Sequence, residues 1–118
     1  SHRMSTDVAE LNRTYRRLAQ EHRVLESKIL ELEQERNEHS MVVESLKAME
    51  PARKAHRLVG SVLVEKTVGE ALPEVQERLD QISQLIAALD ARRQAKDKEI
   101  QDFVKKNDMV PKPQVVDN

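Results

Sequence analysis

Twelve residues, His56 to Thr67, interrupt a chain that is otherwise patterned for helix. They read H-R-L-V-G-S-V-L-V-E-K-T and carry the one convincing β signal. Leu58-Val59 and Val62-Leu63-Val64 are short apolar runs, with Gly60-Ser61 between them. A Gly-X pair in a two-residue loop suits a type II′ turn. That turn sets Val59 against Val62, Leu58 against Leu63, Arg57 against Val64 and His56 against Glu65. One face of the ribbon then carries Leu58 and Leu63, and the other Val59, Val62 and Val64. A two-stranded ribbon that is apolar on both faces does not stand alone in water, and its edges expose unpaired backbone groups. The stretch therefore demands partners.

The flanking arms decide what surrounds it. Alternate steps of three and four from Val8 give Val8, Leu11, Tyr15, Leu18, His22, Leu25, Ile29, Leu32, Arg36, His39, Val43 and Leu46, nine of twelve apolar. The same stepping from Leu72 gives Val75, Leu79, Ile82, Ile86, Leu89, Arg93, Lys96, Ile100, Phe103, Asn107 and Val110, again nine of twelve counting Leu72. Heptads sustained this long mark a coiled coil. Pro51 stops the first helix, expected over 6–50. Thr67 and Glu70 form a capping box that starts the second, expected over 67–110, with a short turn and a kink at Leu72-Pro73. Pro111 and Pro113 are expected to end it, ahead of a loose tail over 111–118. Such helices run to about 60 Å and need another helix along the seam. The fold class is thus mainly α, a long antiparallel two-helix coiled coil whose helices are joined by a single β-hairpin.

Composition fits this plan. Aromatic residues are 2% of the 118 and charged residues 35%, so a narrow apolar seam is expected rather than a globular core. The net charge of −1 gives no global case for nucleic acid or an anionic membrane. With no cysteine there is neither a disulfide framework nor a thiolate metal site. No apolar run reaches the roughly 18 residues of a membrane span, and no signal segment opens the chain. Ser1-His2-Arg3 ahead of Met4 reads as a tag remnant. A soluble, cytoplasmic chain is expected, with an additional nuclear pool as the open alternative.

Catalysis and metal binding find little support. His2, His22, His39 and His56 have no ligand spacing on one face, and no nucleophile–base set stands out. No enzyme activity, cofactor or metal is expected. Asn12-Arg13-Thr14 matches a glycosylation sequon but reads as helix surface. Arg13, Arg16, Arg17 and Arg23 could dock an acidic partner, but read better as a solvated helix face, with no aromatic residue interleaved to stack bases.

Around the hairpin, Val59-Gly60-x-x-Leu63-Val64-x-x-Thr67 carries a specific resemblance. Asn37-Glu38-His39-Ser40, Leu46-Lys47, Arg53-Lys54, Thr67-Val68 and Leu72-Pro73 extend it. With these residues the chain resembles the β-type subunits of prefoldin, over roughly Leu11 to Val110. The resemblance implies a subunit of a hexameric, ATP-independent holdase. In prefoldin, two α-type and four β-type subunits join their hairpins into a β-barrel platform from which coiled coils extend. Unfolded actin, tubulin and other clients are held and passed to the cytosolic group II chaperonin. Carried onto this sequence, Leu58, Val59, Gly60, Val62, Leu63 and Val64 would form the assembly surface. Val8, Leu11, Met109 and Val110 are the candidate client contacts, because fraying at helix ends would offer adaptable apolar groups. The competing reading is a structural or tethering coiled coil that binds no client, its hairpin a dimerisation clasp.

Overall fold

The computed structural model describes residues 2–109, and the side chains of 7–109. Helix α1 spans His2–Lys47, strands β1 and β2 span Lys54–Val59 and Val62–Thr67, and helix α2 spans Val68–Lys106. The architecture is the expected one: two long helices joined by one antiparallel hairpin. The chain divides into two compact units.

Residues 29–88 form the hairpin unit. Its core is the seam itself: Ile29, Leu32 and Val43 from α1, and Val75, Ile82 and Ile86 from α2 are all buried. Ile82 is wholly enclosed, at 0% exposure. Val68 and Ala71, in the first turn of α2, add to this core outside the stepping pattern. Arg78 of α2 donates from Nε and a terminal nitrogen to Glu35 Oε1 of α1, at 3.2 and 2.9 Å, across the flank of the seam. His39 occupies a seam position and turns Nδ1 to the Glu35 carbonyl one turn back, at 2.9 Å. The polar seam residue is thereby satisfied within its own helix.

Residues 1–28 with 89–118 form the terminal unit. Here only Leu18 and Leu25 are buried among the described side chains, and Ile100 and Phe103 are half-buried. His22, Arg93 and Lys96 put ionisable side chains at three seam positions. His22 Nδ1 lies 2.8 Å from Glu26, and its Nε2 lies 2.6 Å from Asp97 on α2 without hydrogen-bond geometry. Arg93 donates to Asp90 and Asp97, and Lys96 to Glu99. The Arg93 guanidinium, above all through its bond to Asp90, holds that carboxyl below the usual range.

Helix bounds differ from the sequence expectation: α1 runs from His2 to Lys47 rather than over 6–50, and α2 starts at Val68 rather than 67 and stops before 110. The second helix ends at Lys106, short of 110 and of the prolines. Asp108 adopts φ 51°, its N–H donates to the Lys105 carbonyl, and the Met109 N–H donates to the Val104 carbonyl at 2.9 Å. These paired bonds are a Schellman stop, which satisfies the last carbonyls and ends the helix five residues before Pro111. Helix α2 continues through Pro73, which lies inside it. Its first turn is anchored by bonds described below, so one lost i→i−4 bond does not interrupt it. The first helix stops at Lys47, with Met49 N–H closing a last turn onto the Leu46 carbonyl at 3.1 Å.

Candidate assembly site

The hairpin adopts the register written into its turn. Val59 pairs with Val62, Leu58 with Leu63, Arg57 with Val64, His56 with Glu65, and the ladder extends to Lys54 with Thr67. Gly60 has φ 63°, and Ser61 is not among the residues with positive φ. Positive φ at the first central position alone is the type II′ signature. A Cβ on Gly60 would meet nothing within 4 Å, so glycine is required by the backbone angle and not by crowding.

The two faces of the ribbon are unequal. Ala55, Arg57, Val64 and Lys66 share one face and are half-buried. Lys54, His56, Leu58, Leu63 and Glu65 share the other and are exposed, Leu58 at 67% and Leu63 at 64%. At the tip Val59 and Val62 are exposed as well. On a two-residue loop Val59 and Val62 form the hydrogen-bonded pair, so the N–H and C=O groups of Leu58 and Leu63 point outward from the two edges. Leucine side chains and unpaired backbone groups are therefore offered together. Of the six residues proposed for assembly, Leu58, Val59, Gly60, Val62 and Leu63 are open, whereas Val64 is partly covered by its own chain.

The base of the ribbon is fastened to α2 by every donor of the first turn. Thr67 N–H and Oγ donate to Glu70 Oε1, and Glu70 N–H donates back to Thr67 Oγ. Val68 N–H reaches the Arg53 carbonyl at 2.8 Å, and Gly69 N–H the Pro51 carbonyl at 3.0 Å. The helix start thus has no orphan N–H among these four residues, an accounting that capping boxes alone leave incomplete. One turn on, Glu74 accepts from Arg57 on β1 and from Lys66 on β2, each through a different carboxylate oxygen. Thr67, through its backbone bond first, lowers the pKa of Glu70, and Lys66, ahead of Arg57, lowers that of Glu74. Glu74 was invisible in the heptad reading. The signal that points to it is two cations on one ribbon face with an acid four residues after the box glutamate.

This helix–hairpin–helix plan matches known proteins. A family model described as "Prefoldin subunit" matches residues 9–110. The chain belongs to the prefoldin subunit family. Prefoldin subunit 2 of Bos taurus and of Homo sapiens are each 46% identical over 95 residues, covering 80% of this chain. Those matches cover 62% of the relatives' length, so the chain spans under two thirds of them. The crystal structure of the prefoldin beta subunit from Thermococcus strain KS-1 superposes with a TM-score of 0.77 at 13% identity, covering 90% of this chain and 95% of that one. That likeness establishes the β-type prefoldin fold.

The client candidates lie in the terminal unit. Val8 is 55% exposed, while Leu11 and Met109 are half-buried. Met109 is held by the backbone bond that closes the Schellman stop. Val110 lies outside the described residues. The basic run along α1 is solvated: Arg17 bonds Glu21 at 2.7 Å and Arg23 bonds Gln20. No helix among the described residues is long and apolar enough to cross a membrane.

Proposed function

We propose that this chain is a β-type subunit of a hexameric prefoldin co-chaperone. It joins α-type and other β-type prefoldin subunits through its hairpin, the strand edges pairing into a barrel that leaves none exposed. The observation that carries this reading is the open ribbon face, where Leu58 and Leu63 stand in solvent beside unpaired backbone groups. An apolar strand edge left this open is an aggregation hazard unless a partner covers it. The assembled complex holds unfolded chains such as actin and tubulin in the cytoplasm, without ATP, and passes them to the group II chaperonin. Family membership and the shared β-type fold support this reading.

The test is reconstitution. Mixed with the remaining prefoldin subunits, the chain should enter a defined hexamer by native mass spectrometry. That hexamer should suppress aggregation of denatured actin at near-stoichiometric ratio and release it to chaperonin. A stable homodimer that protects no client would instead establish the tethering coiled coil.

A further inference from the structure

We infer that Glu74 is the positioning residue of the hairpin, a two-pronged latch that fixes which ribbon face is presented to a neighbouring subunit. The inference rests on the assembly reading above and adds the device that aims the assembly surface.

The geometry is specific. Arg57 and Lys66 stand on different strands but on the same face, since they belong to the neighbouring pairs Arg57–Val64 and Ala55–Lys66. Glu74 gives one oxygen to each, so a single carboxylate on α2 ties both strands. The other fastenings, Val68 to Arg53 and Gly69 to Pro51, act at the ribbon's base. A ribbon held at its base alone can still tilt about that base. A second attachment farther along β1, at Arg57, removes that freedom. The half-buried state of the Arg57 face and the openness of the Leu58 face are what this attachment would maintain.

Energetics favour a latch over an incidental surface pair. The Lys66 side chain is 24% exposed and Arg57 36%, so neither cation is freely solvated. Without Glu74 two like charges share one partly covered face, and the face is driven open by their repulsion and need for water. An exposed pair would contribute little. The main effect is expected on assembly rather than on folding, because ordering a binding segment beforehand removes that cost from association.

The experiment compares Glu74→Ala, Glu74→Gln and a charge swap, Glu74→Lys with Arg57→Glu and Lys66→Glu, in the full chain with its partner subunits. Glu74→Ala should weaken hexamer formation about tenfold, with helicity and melting temperature nearly unchanged. Glu74→Gln should fall between, and the swap should recover most of the loss. The gap between Glu74→Ala and the parent should narrow in molar salt, which a purely steric role would not do. Leu58→Asp with Leu63→Asp is the control. If the control abolishes assembly while Glu74→Ala assembles like the parent, the latch is wrong and the assembly surface stands. If the control assembles normally, the assembly reading itself fails. A swap no better than Glu74→Ala also overturns the latch.

Discussion

The hairpin unit and the terminal unit use the same heptad stepping and reach opposite outcomes. Between residues 29 and 88 the seam closes around enclosed aliphatic side chains, and with Val68 and Ala71 this unit holds eight of the ten buried hydrophobic residues among the described ones. In the terminal unit His22, Arg93 and Lys96 occupy seam positions; carboxylates pair with Arg93 and Lys96, whereas His22 Nε2 lies beside Asp97 without a hydrogen bond. Burial of aliphatic surface holds one geometry, whereas partly exposed ion pairs contribute little cohesion each. The hairpin unit is thus built to keep a surface in place. The terminal unit encloses only Leu18 and Leu25 among the described side chains, so less aliphatic burial holds its helices together.

Exchanging lesions between the units gives the sharpest break. Leu58→Asp with Leu63→Asp should abolish entry into the hexamer, a loss of a hundredfold or more, since two charges would be buried unpaired at the strand edges. Val8→Asp with Met109→Asp should leave the hexamer intact and lower protection of a denatured client. Native mass spectrometry reads the first and light scattering of an aggregating client the second. If both pairs impaired assembly equally, the division of labour would be wrong.

Next in size is the difference in cohesion. Ile82→Ala should cost about 2–5 kcal/mol, because an enclosed site cannot collapse around the lost atoms. Lys96→Leu, in the terminal unit, should instead stabilise by about 1 kcal/mol, replacing a side chain 19% exposed whose partners are well solvated. Denaturant unfolding of the two variants measures both. A destabilised Lys96→Leu would mean that the charged seam is cohesive after all.

Acid should act on the hairpin joint first. Glu70 and Glu74 both have folded-state pKa values below their ordinary value of 4.5. A lowered folded pKa contributes stability that is complete above the ordinary value and is lost as pH falls through the lowered one. Protection of the Val68, Gly69 and Arg57 amides, corrected for intrinsic exchange, should therefore hold at pH 6 and decline below about 4.5. A Glu70→Gln, Glu74→Gln chain should show weaker protection at pH 6 and a flatter profile. In the terminal unit Asp90 shifts the same way, but its partners Arg93 and Gln94 lie on its own helix, so no joint between elements opens there.

What could be read in the sequence was local. The strand register followed from Gly60-Ser61 and the apolar runs on either side, because a two-residue turn leaves one pairing. The start of α2 followed from Thr67 and Glu70, and the seam from its stepping. Hidden features needed three dimensions. Glu74 meets Arg57 seventeen residues away only because the ribbon folds its covered face toward α2. The Pro51 and Arg53 carbonyls cap a helix that they precede by over a dozen residues. The end at Lys106 was hidden behind Pro111, since proline is a louder signal than an aspartate entering the left-handed region, although Asn107-Asp108 was the available clue. The open and covered ribbon faces were equally unreadable, as both are apolar.

The smallest expected effect concerns two residues in the same backbone region. Gly60 in the hairpin unit has φ 63°, and Asp108 in the terminal unit has φ 51°. The first position holds the residue without a Cβ and the second does not. A non-glycine residue there costs about 1 kcal/mol, less for aspartate than for branched side chains. Gly60→Asp should therefore destabilise the hairpin by about 1 kcal/mol or more and weaken assembly through a misaimed turn. Asp108→Gly should stabilise the end of α2 by at most about 1 kcal/mol, raising the melting temperature by a few degrees. Both changes together should nearly cancel in global stability while still impairing assembly, because only one of these turns aims a binding surface. Thermal melts paired with hexamer yield separate the two quantities. A double variant that assembled fully would show that the aim of the hairpin tolerates its turn being rebuilt.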